Sequence, residues 1–317
     1  MNVAVVGAGA VGCVFGAYLA RAGHSVEMIG RAPFVAAARA HGLRIEGRLR
    51  GSYPVLARTE LAAEDHPDLA LLTVKTYDVA DAAIGLARTH VDPVPLLLLQ
   101  NGLGVERTAD AALRAGGWPD PRLWTVRAIH SVPATLLAPG VARAAGEGEV
   151  LLADPSSAGA LAARVVRFRD LLAGAGFAVR SVPDLEREIW RKAIVNAAIN
   201  PVTALLGVTN GELAQAPART RALRLLEEAR QAAGTAGVDF ASSELVADLD
   251  RVVRATAANR SSMLQDVDRG RPTEIEAISG EILRIAEGHR LELPETRAVV
   301  AEVTRRVAGR GPRAQRT

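Results

Sequence analysis

Lys192, Asn196 and Asn200 are the residues of this 317-residue chain whose types and spacing point most directly to chemistry. Steps of four put all three side chains on one face of a helix. The stretch around them, Ile189, Trp190, Ala193, Ile194, Val195, Ala197 and Ala198, is apolar. Of 38 basic residues only two are lysines, Lys75 and Lys192, and asparagine occurs six times. Arginine serves wherever plain positive charge is enough, yet it cannot release its proton in a protein, whereas lysine can. A lysine kept against that background suggests proton transfer. The stripe reads either as the exposed face of an amphipathic helix or as the wall of a polar site. Elsewhere the polar positions are taken by arginine and glutamate, and asparagine is a poor helix former, so the wall is the expectation.

A second constellation lies at the N-terminus. Gly7-Ala8-Gly9-Ala10-Val11-Gly12 follows the apolar run Val3–Val6 and opens a helical pattern. In that context the three glycines make a tight turn, admit a pyrophosphate and let helix pack on strand, while the helix N-terminus attracts phosphates. The next strand ends Met28-Ile29-Gly30-Arg31. An acid that would hold ribose hydroxyls is missing there, and Arg31 is suited to a 2′-phosphate. This favours NADPH/NADP+ over NADH, with Glu27, earlier in the strand, as the counter-argument. Lys75 ends the run Leu71–Val74, and Asn101 follows the run Leu96–Leu99. Both therefore fall at strand carboxyl ends, where ligands bind in open parallel sheets. Cys13, the single cysteine, is expected to pack as a small apolar residue. The six histidines have no metal-ligand spacing, so no metal is expected. His130 precedes Ser131 in the late part of the Rossmann segment and could approach a nicotinamide, but a packed or surface histidine is the simpler reading.

The elements that must position these residues follow from the apolar pattern. Val3–Val6, Val26–Ile29, Leu69–Val74 and Leu96–Leu99 alternate with helical stretches Val11–Ala22, Pro33–His41 and Val79–Thr89. That alternation predicts a parallel sheet wrapped by helices. From Trp124 to Leu152 shorter β-like pieces, broken by Gly140, Gly146 and Gly148, suggest antiparallel strands added to the sheet. A helix over Ala158–Ala173 and a strand over Phe177–Val182 close the domain. Beyond Pro183-Asp184 the pattern is helical: Leu185–Ile199, Arg219–Ala236, Ser243–Ala258, Glu274–Glu287 and Thr296–Val307, with Asn200-Pro201 among the breaks. The expected architecture is an α/β Rossmann domain over 1–183, doubly wound on a mostly parallel sheet, then an all-α domain over 184–308. Residues 309–317 read as a disordered basic tail.

Composition excludes other classes. The net charge of +3 is small and evenly spread, which argues against a nucleic-acid partner. No apolar run reaches the 18 residues of a membrane span, and the N-terminus lacks the pattern of a signal peptide. With one cysteine, a cytoplasmic setting is the expectation. A homodimer is left open as the assembly.

Taken together, the motifs resemble those of the ketopantoate reductases (2-dehydropantoate 2-reductases) over nearly the whole chain. The matching pieces are Gly7–Gly12, Thr73-Val74-Lys75, Gln100-Asn101-Gly102, Trp190-Arg191-Lys192 with Asn196 and Asn200, Asn210-Gly211, Ser261–Asp266 and Thr273-Glu274-Ile275. The resemblance implies that Lys192 donates a proton and that Asn196, Asn200, Asn210 and Ser262 hold substrate. It also implies that Arg31, Lys75, Asn101 and Glu274 contact the cofactor or bridge cofactor and substrate. Thr125–Thr135 matches poorly, and no role is carried onto it. Ketone reduction needs a hydride on carbon and a proton on oxygen. Lys192 as ammonium can polarise the carbonyl and protonate the alkoxide. Glu274 is suited to orient that ammonium or to meet the nicotinamide carboxamide. The implied reaction is NADPH-dependent reduction of 2-dehydropantoate to pantoate. The alternatives are the same chemistry on another branched 2-oxo acid, or a non-catalytic NADP(H)-sensing protein, against which the presence of Lys192 and Glu274 argues.

Overall fold

The computed structural model describes residues 1–62, 66–90 and 92–309; the expected tail falls, apart from Gly309, outside the described residues. The chain forms two compact units. One comprises Met1–Gln100 and Val105–Leu185, the other Asn101–Gly104 and the chain from Glu186 onward.

The first unit runs β1 (Asn2–Val6), α1 (Ala10–Arg21), β2 (Ser25–Ile29), α2 (Ala32–His41), β3 (Leu43–Gly47), β4 (Gly51–Tyr53), β5 (Leu56–Arg58), β6 (Leu69–Leu72), α3 (Val79–Thr89), β7 (Leu96–Leu98), α4 (Val105–Ala115), β8 (Thr125–His130), β9 (Ala134–Ala138), β10 (Val141–Ala144), β11 (Glu149–Ala153), α5 (Ala162–Ala175) and β12 (Ala178–Val182). Eight strands form one sheet in the order β12-β11-β8-β7-β6-β1-β2-β5, in which only the β8–β11 pairing is antiparallel. The expected doubly wound, mostly parallel sheet is therefore borne out. Strand alternation explains the winding: Val3 and Val5 enter one core with α1 and α5, while Ala4 and Val6 enter another with α3 and α4. Chain order reverses at β1, between β6 and β2. Such a switch point opens a crevice at the strand carboxyl ends.

The stretch 125–152 corrects one expectation. Strands β8 and β11 join the large sheet, but β9 and β10 leave it for a second, four-stranded sheet in the order β4-β3-β10-β9. The reason lies in α1, whose Gly12–Ala17 and Leu19 are all buried. A helix apolar on every side needs cover on every side. One side packs on β1, and the other meets Leu43, Ile45, Ala142 and Ala144 of the small sheet.

The second unit is helical: α6 (Leu185–Leu206), α7 (Ala218–Thr235), α8 (Ser242–Ala255), α9 (Ser262–Asp268), a π-turn over Glu276–Gly280, α10 (Glu281–Gly288) and α11 (Pro294–Ala308). Among the described residues no helix is long and apolar enough to cross a membrane. The expected break at Asn200-Pro201 does not occur, and α6 continues a further turn and a half with Pro201 inside it. Proline removes one helix hydrogen bond at a cost of about 3 kcal/mol. Burial of Ile199, Val202 and Ala204 offsets that cost, at about 1.5–3 kcal/mol for each large aliphatic side chain. Thr203 Oγ1 also donates to the Ile199 carbonyl at 2.9 Å, bracing the turn from its own helix.

Candidate active site

In the first unit the candidate residues gather at the carboxyl ends of neighbouring strands. Gly7 follows β1 with φ +118°, and a Cβ there would stand 2.5 Å from the Val74 nitrogen. Gly12 is tighter still: its Cβ would lie 1.9 Å from the Gly7 carbonyl oxygen. Gly9 differs, because a Cβ there would meet nothing within 4 Å. Two glycines thus serve packing, and the third leaves open space beside the start of α1. Gly9 is the N-cap of that helix and gives it no side-chain cap, so the amides of Ala10, Val11 and Gly12 begin the helix without a side-chain acceptor. Open space plus uncapped amides fits a pyrophosphate, with Ala8 carried on the same loop. The loop is braced by Thr73, whose hydroxyl donates to the Gly7 carbonyl at 2.6 Å.

Arg31 stands at the N-cap of α2, one residue beyond Gly30. Its side chain is 88% exposed, with a 3.6 Å contact to Asp78. Glu27 is withdrawn: its side chain is 12% exposed and meets Arg58 Nε of the neighbouring β5 at 3.0 Å. The group at the end of β2 is accordingly a cation. Lys75 stands three residues beyond the last residue of β6, not on the strand as the sequence suggests, and starts a short 3-10 turn over Thr76–Asp78. Gln100 secures that strand end by donating to the Leu72 carbonyl at 2.8 Å. Cys13 is fully buried, and burial pushes its thiol up to about 12, so it is an inert packing group. His130 is buried edge-on to Phe15 at 5.7 Å.

The second unit assembles the other candidates. On α6, Lys192 and Asn196 are half-buried and Asn200 is buried, while Trp190, Ala193, Ile194, Ala197 and Ala198 fill the core. The stripe is thus no freely solvated face. Two long-range ties bring further residues to the same unit. Thr203, one turn beyond Asn200, has its hydroxyl 2.7 Å from that of Ser261 in a hydrogen bond. Ser261 in turn caps α9 by accepting from the Leu264 amide at 3.1 Å, which sets Ser262 at the first position of that helix. Asn210 is held at its backbone, its N–H donating to the Asn259 carbonyl at 2.9 Å. Glu274 is buried just before the π-turn. Asn101 precedes Gly102, whose φ of +87° and 2.3 Å Cβ distance to the Ala277 carbonyl oxygen admit only glycine. Leu103 donates its N–H to that same carbonyl at 3.0 Å. Leu103 and Ile278 share one apolar core with Trp190 and Ile194, so the segment carrying Asn101, the turn after Glu274 and the helix of Lys192 are packed together.

Ion pairs add to the apolar packing that holds α6. Arg191, next to Lys192, pairs with Glu188, Glu244 and Asp248, and Arg187 meets Glu244 at 3.0 Å. Burial opposes the Arg191 charge, but the hydrogen bonds it donates to Glu244 and Asp248 outweigh that and hold its pKa above the ordinary value. Hydrogen bonds from Arg187 and Arg191 hold the Glu244 carboxyl below its ordinary range.

Sequence reasoning did not give Thr73, Gln100 or Thr203 individual roles. A hydroxyl that braces a loop 66 residues away leaves no local signal. Ser261 did leave one, since a serine just before an apolar run is a helix-start pattern. Among the described residues no group of three or more His, Cys, Asp or Glu side chains gathers as a metal site.

Comparison with known proteins gives a consistent result. The model of the family described as "Ketopantoate reductase PanE/ApbA" matches residues 3–157, and that of its C-terminal domain matches residues 184–306. The 2-dehydropantoate 2-reductase of Archaeoglobus fulgidus is 33% identical over 90% of this chain and 91% of its own length. A PanE/ApbA family ketopantoate reductase from Ralstonia eutropha has a crystal structure that superposes with a TM-score of 0.87 at 28% identity, covering 98% of this chain and 99% of that one. D-mandelate dehydrogenase, solved with NADH and anilino(oxo)acetate, has the same fold, with a TM-score of 0.87 at 24% identity over 98% of this chain and 99% of that one.

Proposed function

The chain belongs to the ketopantoate reductase family, and from that membership we propose that it reduces 2-dehydropantoate to pantoate with NADPH. The observation that carries the reading is the stripe on α6: a lysine and two asparagines, partly to fully buried, in a chain with one other lysine. Residues 1–183 would bind the dinucleotide and residues 184–308 the substrate.

Gly7, Ala8, Gly9, Ala10, Val11 and Gly12 would hold the pyrophosphate through backbone amides at the start of α1. Arg31, exposed and beyond the end of β2, is suited to charge-assisted bonds with a 2′-phosphate, while Glu27 is engaged by Arg58. Lys75 and Asn101 would complete the cofactor contacts. When bound, the reduced nicotinamide supplies the hydride. Lys192, as ammonium, polarises the ketone and gives its proton to the oxygen as the carbon is reduced. Glu274 orients Lys192 or meets the nicotinamide carboxamide. Asn101, Asn196, Asn200, Asn210 and Ser262 supply neutral hydrogen-bonding groups suited to hydroxyl, keto and carboxylate oxygens.

The test is steady-state NADPH and NADH oxidation with a panel of branched 2-oxo acids. We expect the highest kcat/KM with 2-dehydropantoate and NADPH. Arg31→Ala should raise KM for NADPH about tenfold, the worth of a charge-assisted contact, and leave NADH use almost unchanged. Equal use of both cofactors by the wild type would refute the NADPH assignment, and absence of turnover with every 2-oxo acid would refute the reductase reading.

A further inference from the structure

Asn210 is 7% exposed, yet only half of its amide is accounted for. Its Nδ2 donates to Thr256 Oγ1 at 2.9 Å. Its Oδ1 is buried and has no hydrogen-bond donor among the described residues. Thr256 decides which way round the amide sits. The Thr256 hydroxyl has one proton, and that proton goes to the Val252 carbonyl at 2.7 Å. Toward Asn210 the hydroxyl is therefore an acceptor and must face an N–H. Turning the amide over would set Oδ1 against another acceptor unless the bond to Val252 were given up. The backbone on either side is clamped to the same segment: Asn210 N–H donates to Asn259, and Gly211 N–H donates to Ala257 at 3.0 Å. A Cβ on Gly211 would already stand 3.0 Å from that carbonyl oxygen. The backbone of Asn210 is thus held in place, Thr256 holds its Nδ2, and its Oδ1 is a buried acceptor without a donor among the described residues.

We propose that Thr256 is a positioning residue that locks the Asn210 amide with its oxygen as the acceptor, so that the site selects a 2-oxo acid carrying a hydroxyl donor. This deepens the reductase reading above and rests on it. A substrate hydroxyl that parts the groups covering Oδ1 supplies the missing bond. A carboxylate or keto oxygen does not, because it has no proton to give. A 2-oxo acid of the same shape without the hydroxyl leaves the acceptor bare, and sites built to bond a hydroxyl reject the analogue lacking it.

The experiment compares 2-dehydropantoate with 3,3-dimethyl-2-oxobutanoate, the same acid lacking its hydroxyl, in wild type, Thr256→Val and Thr256→Ser, with NADPH. Wild type should prefer the hydroxylated acid. Thr256→Val keeps the side-chain shape and removes the lock. It should lower kcat/KM for 2-dehydropantoate about 3- to 10-fold, chiefly through KM, and change the deoxy acid less than about twofold. Thr256→Ser keeps the hydroxyl and should restore wild-type discrimination. An equal loss on both acids in Thr256→Val, or a Thr256→Ser enzyme that behaves like Thr256→Val, makes the role merely structural and overturns the proposal. Should Thr256→Val fail to fold, Thr256→Ala supplies the same comparison. A wild type that reduces both acids equally well overturns the proposal and leaves the reductase reading standing. A wild type that oxidises NADPH with neither acid overturns both.

Discussion

The glycine loop after β1 and the polar stripe on α6 are built from opposite materials. The loop consists of backbone and empty space: Gly7 and Gly12 touch other backbone, and Gly9 faces nothing within 4 Å. The stripe consists of side chains on a regular helix, where the backbone has no freedom left to contribute. One region can be changed only by adding atoms, the other only by exchanging functional groups. Steric defects should therefore appear in the loop as lost stability or lost dinucleotide affinity. Chemical defects should appear in the stripe as lost turnover in a well-folded protein.

The largest effect is expected from the stripe. Lys192→Arg keeps the charge on α6 and removes a dissociable proton, since arginine does not deprotonate in proteins. General acid catalysis contributes roughly 10²–10⁴-fold, and kcat should fall by that factor. The thermal midpoint should stay within about 4 °C of wild type, because an exchange of like charge at this half-buried position should cost no more than about 1 kcal/mol. Near-normal turnover would reduce Lys192 to an electrostatic anchor and break the contrast between the regions.

The loop sharpens the contrast through two substitutions of the same kind. Gly12→Ala puts a methyl 1.9 Å from the Gly7 carbonyl oxygen and 2.6 Å from Thr73 Oγ1, so the Thr73–Gly7 bond must yield. We expect a loss of about 1–3 kcal/mol or more, read as a lower thermal midpoint. Gly9→Ala puts its methyl into open space at an ordinary φ of −78°. That variant should melt like wild type and bind dinucleotide at least about tenfold more weakly, the equivalent of roughly 1.4 kcal/mol. Equal melting losses in both variants would make the loop a structural turn only.

The same contrast explains what was legible in the sequence. Strands β1, β2, β6 and β7 could be read because central strands of a parallel sheet are buried on both faces and appear as plain apolar runs. Strands β3 and β4 were not read, and β9 and β10 were read only as short β-like pieces of the large sheet: all four are three to five residues long, and none has more than two buried positions. The stripe was legible because spacing and rarity are local properties of a sequence. Its supports were not, because Thr203 meets Ser261 across 58 residues and Leu103 meets Ala277 through backbone atoms alone. The continuation of α6 through Pro201 was hidden for a related reason, since local proline chemistry argues for a break and only tertiary burial overrides it. The position of Arg31 could be read, but the pairing of Glu27 with Arg58 depended on a strand the sequence did not reveal.

The smallest expected effect concerns acid. The carboxyls held below their ordinary range divide unevenly: Glu227, Glu244, Asp250 and Glu302 belong to the helical unit, and Asp154 to the sheet unit. In the helical unit the leading cause is in each case a hydrogen bond from an arginine, Arg230, Arg187, Arg219 or Arg221. A carboxyl depressed by folding contributes stability that is complete above its unfolded pKa, near 4.5 for a glutamate. That contribution is lost as pH falls through the folded value. The helical unit should therefore weaken ahead of the sheet unit as pH drops from about 5 towards 3. Each pair lies partly in solvent, so each is worth at most about 0.2–1 kcal/mol. Glu244→Gln removes one of these contributions and loosens Arg187 and Arg191 together. Amide hydrogen exchange read separately on α6 and on β1, at pH 6 and pH 4, checks this. Protection of α6 should fall more than that of β1 on acidification, and the α6 difference should shrink in Glu244→Gln. Equal losses in both units would mean that the arginine pairs of the helical unit are too solvated to set its acid stability.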